Sequence, residues 1–292
     1  MFPAPFDYHK PAALSEAVEM LTALGDDAKL LAGGQSLIPA LKLRLTSPQH
    51  LIDLSGIAEL SQIGVEDNTL IVGAMVTHWQ VESSPVVRNA LPYLSKVAAL
   101  IADPQVRNRG TIGGSVVNSD PAADYPASIV ALNAEMVCVS SSGTRVVAAA
   151  DWFQGLMTTA IEDGEILTQI RIPLLASNVA ATYLKLPHPA SRFAVVGVAA
   201  IAQVTPSGQC VDARIGITGV GANAIRGLQV EKFLVGHPFE ERRIADASNL
   251  ACESLNIEGD MHFSAQDKQE LCRVYVRRAL MQVKQTAAMR SV

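Results

Sequence analysis

Two short runs of small residues carry the chemistry that this sequence offers. The first is Ala32-Gly33-Gly34-Gln35-Ser36, which follows an apolar run at 29–32 and precedes helical spacing over 36–45. Consecutive glycines let the main chain adopt positive φ and let a ligand come into contact with it. Backbone N–H groups at such a strand-to-helix turn form a cradle for phosphate, and Ser36 adds a hydroxyl donor or a helix cap. The pattern is neither GxGxxG nor GxxxxGK[ST]. A plain strand-to-helix turn with a serine cap would leave the same trace.

The second run is Arg109-Gly110-Thr111-Ile112-Gly113-Gly114-Ser115, continuing through Asn118, Asp120 and Asp124. Its small residues expose backbone donors, with hydroxyls and an amide beside them, and Arg107 and Arg109 place positive charge nearby. A pyrophosphate suits such a segment, and Asp124 can accept hydrogen bonds from a ribose or ribityl chain. Residues 103–125 show little periodicity and are rich in Gly, Asn, Asp and Pro, so they read as a long binding loop. An ordered loop held by its own polar side chains is the alternative. Two such runs in one chain point to one large anionic ligand gripped from both sides.

The elements that must position these runs are legible in outline. A helix is expected over 11–25, then a strand at 29–32, the Gly-Gly turn, a helix at 36–45 and a strand at 50–54. A buried strand at 69–74 precedes helices over 76–87 and 90–101, interrupted near Pro85 and Pro92. A helix at 127–133, a hairpin of 135–139 with 144–147 and a strand at 165–172 close the first part. A boundary is expected between 173 and 178. Beyond it, strands at 180–186, 195–204 and 210–218 precede helices at 226–256 and 265–286, an α+β arrangement.

Composition narrows the setting. The 292 residues are 49% hydrophobic with a net charge of −5, which supports a large core and argues against nucleic acid as a partner. A mean hydropathy of +0.24 fits either a well-filled Ala/Val/Ile core or a subunit that buries surface against partners. The N-terminal residues have no signal-peptide pattern, and no apolar run reaches membrane-spanning length, so the expected location is the cytoplasm. The four cysteines, Cys138, Cys210, Cys252 and Cys272, are scattered without any CxxC spacing, so neither a zinc knuckle nor an iron–sulfur cluster is signalled.

AGGQSLIP at 32–39, ADPQVRNRGTIGGSVVNSDPAADYPA at 102–127 and EILTQIRIP at 165–173 together resemble the FAD-binding subunit of the xanthine oxidase family of molybdenum hydroxylases. Within that family the chain is similar to the medium subunits of carbon monoxide dehydrogenase and of bacterial aldehyde or N-heterocycle dehydrogenases. The resemblance covers nearly the whole chain. It implies an α+β fold: a PCMH/vanillyl-alcohol-oxidase-like FAD-binding domain at 1–176, with subdomains at about 1–56 and 57–176, and a carbon monoxide dehydrogenase flavoprotein-like domain at 177–292.

The resemblance also assigns the flavin contacts. Lys29, Leu30, Leu31, Ala32, Gly33, Gly34, Gln35 and Ser36 would wrap the pyrophosphate, and Thr111, Ile112, Gly113, Gly114 and Ser115 would bind it from the opposite side. Ile101 would pack near the ring system and Asp124 would contact the ribityl or adenosine part, with Ala102, Asn118 and Asp120 in the same binding set. Leu167 would line the adenine end. Lys185 would approach the isoalloxazine, where positive charge favours the anionic reduced ring. Carbon monoxide dehydrogenase relatives place a tyrosine where Phe193 stands here, so an aromatic cover would persist without the phenol hydrogen bond.

The implied function is electron transfer. FAD sits on this chain. A molybdopterin cofactor on a large subunit and two [2Fe–2S] clusters on a small subunit complete an (LMS)2 assembly, and no catalytic acid, base or metal site belongs to this chain. A self-contained flavin oxidoreductase of the same fold, or a non-redox nucleotide-binding scaffold subunit, are the competing readings. Substrate and electron acceptor are not encoded here.

Overall fold

The computed structural model describes residues 2–253 and 255–290. The chain begins with a small all-parallel sheet in which His50–Asp53 is central, flanked by Asp7–His9 and Ala28–Leu31. Helix Leu14–Leu24 buries Ala17 and Val18 against this sheet. Strand Ala28–Leu31 runs into the first glycine pair, and the six-residue helix Leu37–Lys42 follows it. This parallel unit aims the end of one strand, and the turn beyond it, at the next layer.

That layer is a five-stranded antiparallel sheet in the order Ile63–Glu66, Thr69–Gly73, Ile166–Pro173, Glu135–Ser140, Gly143–Ala148. Short helices cover one face, among them His78–Ser83, Pro92–Ala99, Ile112–Asn118 and Asp124–Ala131. The helical stretches break just before Pro85 and Pro92, as the sequence suggests. Each occupies the first turn of a new helix, where its missing N–H costs no hydrogen bond.

A four-stranded antiparallel sheet follows, built from Val179–Pro187, Ala194–Val204, Cys210–Thr218 and Ile225–Arg226. Strand Ala194–Val204 is buried on both faces. Ala199 and Ile201 join the core of the preceding layer, while Val196, Val198, Ala200 and Ala202 pack under the C-terminal helices. Two cores therefore share one sheet. Gly216 marks the tightest approach, because a side chain there would fall on the backbone carbonyl of Ala127 in helix Asp124–Ala131.

The segment 103–125 is not a loop. It holds helices Pro104–Arg107 and Ile112–Asn118 and the start of Asp124–Ala131. Asp103 caps the first by accepting from the Val106 N–H at 2.8 Å, and Thr111 caps the second by accepting from the Gly114 N–H at 3.1 Å. These helices are too short to show a period. The helix expected at 226–256 is likewise two, Leu228–Leu234 and Glu241–Asn249, followed by the 3-10 turn Leu250–Cys252. Gly236, at φ 80°, turns the chain between them. Short strands at Asp7–His9, Ile63–Glu66, Phe153–Gly155, Thr158–Thr159 and Ile225–Arg226 were not expected.

Candidate functional site

A cavity of about 560 Å³ lies where the three layers meet. Most of the wall is apolar, with Leu30, Ile101, Val106, Val117, Ile166 and Leu167 contributing. One end is polar, and the first glycine run builds it. The backbone N–H groups of Gly33, Gly34, Gln35, Ser36 and Leu37 donate to no acceptor among the described residues, and helical bonding begins with the Ile38 N–H to the Gly34 carbonyl at 3.0 Å. Gly34 stands at φ +75°, a conformation that glycine adopts without steric cost. The side chains of Ser115 and Asn118 face the same space and carry no hydrogen bond among the described residues. Five unspent amides, a hydroxyl and a carboxamide form an anion cradle.

The second glycine pair differs from the first in its hydrogen bonding. Its amides are already used: Ile112 N–H donates to Val76 O at 2.9 Å, Gly113 N–H to Ala74 O at 3.0 Å, and Ser115 N–H to Thr111 O at 3.0 Å. Gly113 is glycine because a Cβ would sit 2.5 Å from the Ala74 methyl, and Gly114 because a Cβ would sit 2.8 Å from the Thr111 hydroxyl. The pair lets helix Ile112–Asn118 press onto the end of the adjacent strand, so that Ser115 and Asn118 reach the cavity. The two runs also touch. A Cβ on Gly33 would fall on the carbonyl oxygen of Arg109 and lie 2.7 Å from the Gly110 Cα. Only a glycine lets the first run close against the second.

Of the residues assigned from the sequence, Lys29, Leu30, Ala32, Gly33, Gly34, Gln35, Ser36, Ile101, Ala102, Thr111, Gly113, Gly114, Ser115, Asn118, Asp120, Asp124, Leu167 and Phe193 line this one cavity. Leu31, Ile112 and Lys185 are not in the wall. Leu31 packs beneath Gly34, and Ile112 is fully buried in the core. Lys185, whose side chain is 5% exposed, instead pairs with the Asp124 carboxylate at 2.9 Å. Tyr183 donates to the other Asp124 oxygen at 2.6 Å. Burial pushes the Asp124 carboxyl above its usual range, while Lys185 and Tyr183 pull it back. Arg107 is also engaged elsewhere, donating to Glu82 at 2.8 Å and to the carbonyls of Ile101 and Ala102. Its charge anchors the main chain and is not offered to a ligand.

Sequence reading missed several members of the wall, chief among them His78, Met75, Ser191 and Arg192. His78 opens helix His78–Ser83 behind the capping residue Thr77, and its backbone N–H donates to Gly110 O at 2.8 Å. The residue is 6% exposed, and its ring lies 5.4 Å from the Tyr125 ring, centroid to centroid. Burial, with the Arg107 charge adding to it, pushes the imidazole down to about 4, so it is neutral near pH 7. A lone histidine at a helix start gives no sequence signal for this. The Thr77-x-x-Gln80 capping box was readable, but it points to a helix and not to a site.

An apolar cavity with a run of unspent amides at one end suits a cofactor that carries both phosphate and apolar rings, and the volume falls in the range of pre-formed cofactor sites. Comparisons with known proteins agree. The FAD binding domain in molybdopterin dehydrogenase matches residues 4–175, and the CO dehydrogenase flavoprotein C-terminal domain matches residues 181–283. The carbon monoxide dehydrogenase medium chain of Hydrogenophaga pseudoflava is 40% identical over 96% of this chain and 97% of its own length. Among solved structures, a carbon monoxide dehydrogenase from the same organism, lacking the Mo-pyranopterin moiety of its cofactor, superposes with a TM-score of 0.95 at 38% identity, covering 98% of this chain and 99% of that one. Quinoline 2-oxidoreductase from Pseudomonas putida 86 superposes with a TM-score of 0.93 at 36% identity, covering 99% of this chain and 100% of that one. The chain thus belongs to the FAD-binding medium chains of the carbon monoxide dehydrogenase and molybdenum hydroxylase family, and is an oxidoreductase flavoprotein subunit.

Proposed function

We propose that this chain relays electrons from two [2Fe–2S] clusters on a small partner subunit, through FAD held in the cavity, to an external acceptor, within a cytoplasmic (LMS)2 assembly whose large subunit carries the molybdenum cofactor. The observation that carries the reading is the closure of Gly33 onto the Arg109–Gly110 backbone, which brings the unspent amides of residues 33–37 opposite Ser115 and Asn118. Bound there, FAD supplies a centre able to exchange electrons singly or in pairs. The residues of the chain bind, orient and shield it: the amide run holds the pyrophosphate, the apolar wall excludes water, and Phe193 covers an open edge at 45% exposure.

The cofactor-binding set is the one assigned from the sequence, less Leu31, Ile112 and Lys185 as direct contacts and with His78 added. The division at 176/177 fits the passage from the five-stranded sheet, ending at Pro173, to the four-stranded sheet, beginning at Val179. Relatives named for carbon monoxide and for quinoline share this subunit architecture, which fits substrate choice residing on another chain. The test is purification of the native assembly followed by rapid mixing with its reducing substrate. The reading expects this chain to co-purify with an iron-bearing and a molybdenum-bearing chain, and its flavin to be reduced only when both are present. Substrate-driven flavin reduction by the isolated chain would favour a self-contained oxidoreductase, and a colourless folded chain in the native assembly would favour a scaffold.

A further inference from the structure

The turn 188–193 crosses from the four-stranded sheet to the cavity, and its hydrogen bonds form a closed circuit. His188 N–H donates to Phe193 O at 2.7 Å, and Arg192 N–H donates to His188 O at 2.9 Å. The turn is also tied at both ends. At its root, Lys185 Nζ donates to Arg192 O at 2.9 Å, and the same ammonium is fixed by Asp124, itself held by Tyr183. At its tip, the Arg192 guanidinium reaches across the cavity rim and donates to the Ala102 carbonyl at 3.1 Å. That carbonyl accepts from Arg107 as well, at 3.2 Å.

Both ends of this bridge are conformationally strained. Arg192 stands at φ +62° and Ala102 at φ +42°, in the left-handed region that a residue with a Cβ enters at a cost. Arg192, Phe193 and Ala102 all line the cavity. The Lys185–Asp124 pair is buried, with side chains 5% and 4% exposed, whereas both bonds made by Arg192, its carbonyl to Lys185 and its guanidinium to Ala102, are exposed. Of these two bonds, the guanidinium link is the one that spans the rim.

We propose that Arg192 is a positioning residue whose clasp on the Ala102 carbonyl holds Phe193 over the cavity and sets the rate at which the flavin leaves. Release requires the Arg192–Ala102 link to break and the guanidinium to swing off the rim, while the Arg192 carbonyl stays on Lys185. This rests on the reading that the cavity holds FAD.

The test is the rate of FAD release from the native assembly, followed by the fluorescence of freed FAD after dilution, with the unfolding midpoint measured alongside. Arg192→Met keeps the stem and the backbone strain but removes the donor, and is expected to release FAD roughly five- to twentyfold faster at an unchanged unfolding midpoint. Arg192→Lys, which restores a donor, brings the rate back toward wild type. Ala102→Gly, for which φ +42° carries no steric cost, releases no faster than wild type. Gly33→Val separates the two readings. If that variant is devoid of FAD while Arg192→Met releases it at the wild-type rate, the clasp is wrong and the site is right. If Gly33→Val retains FAD at wild-type affinity, the site reading itself fails and the clasp with it.

Discussion

Acidifying the protein should weaken it through His78, and the magnitude follows from where the ring lies. In the unfolded chain the imidazole titrates near its usual 6.5, whereas in the fold burial and the nearby Arg107 charge bring it down to about 4. Above 6.5 the ring is neutral in both states. Between 6.5 and 4 the unfolded chain takes up a proton that the folded chain refuses, so folding stability falls as the pH falls, by about 1.4 kcal/mol per pH unit. Over the whole window the loss approaches about 3 kcal/mol, and below about 4 it stops growing because both states are then protonated. His78→Asn removes the titration but keeps a polar side chain beside Tyr125. The assay is urea unfolding of both proteins at a series of pH values from 7 down to 4. Carboxylates titrate in both proteins and cancel in the difference. The wild type should lose about 3 kcal/mol more than the variant across the series. Parallel stability curves, or a wild type that gains relative to the variant on acidification, would refute a neutral buried imidazole.

Other outcomes follow from packing and charge. Gly216→Ala places a methyl on the Ala127 carbonyl, and since both neighbours are backbone the sheet and helix must separate; a loss of about 1–3 kcal/mol is expected in denaturant unfolding. Asp124→Ala leaves the Lys185 ammonium buried without its carboxylate, at a cost of about 3–5 kcal/mol, and Asp124→Ala combined with Lys185→Met should recover much of it. Simple additivity of the two single losses would show that the pair is not coupled. Trp152 is fully buried and donates to the Val116 carbonyl at 3.1 Å, so Trp152→Ala should cost about 3–5 kcal/mol and lower the melting temperature.

Local signals were readable and long-range ones were not. The strand, Gly33-Gly34 and helix succession was legible, because free amides at a strand-to-helix turn are a local property. Gly113-Gly114 looked the same, but its amides are spent on Ala74 and Thr111, and its purpose is the close approach of a helix to a strand that lies 39 residues earlier at Ala74. No spacing rule distinguishes the two uses of a glycine pair. The helices within 103–125 escaped notice because four- and seven-residue helices show no period, and their start signals, Asp103-Pro104 and Thr111, also occur in loops. Lys185 pairs with an aspartate 61 residues away, a partner that no spacing signals. Arg192 was passed over because its partner, Ala102, is 90 residues distant and contributes only a carbonyl. The strand Ala194–Val204 shows the same limit in the core: its unbroken apolar run reads as buried, yet which face meets which layer depends on two separate cores.

The most direct test of the account is the FAD content of the native assembly with the wild-type chain and with Gly33→Val, compared at matched folding by circular dichroism. The variant puts two methyls where the first run must close on the Arg109 carbonyl, separating the amides of residues 33–37 from Ser115 and Asn118. The account predicts a full complement of FAD in the wild type and little or none in a folded variant. A folded Gly33→Val chain that holds FAD as the wild type does would contradict it.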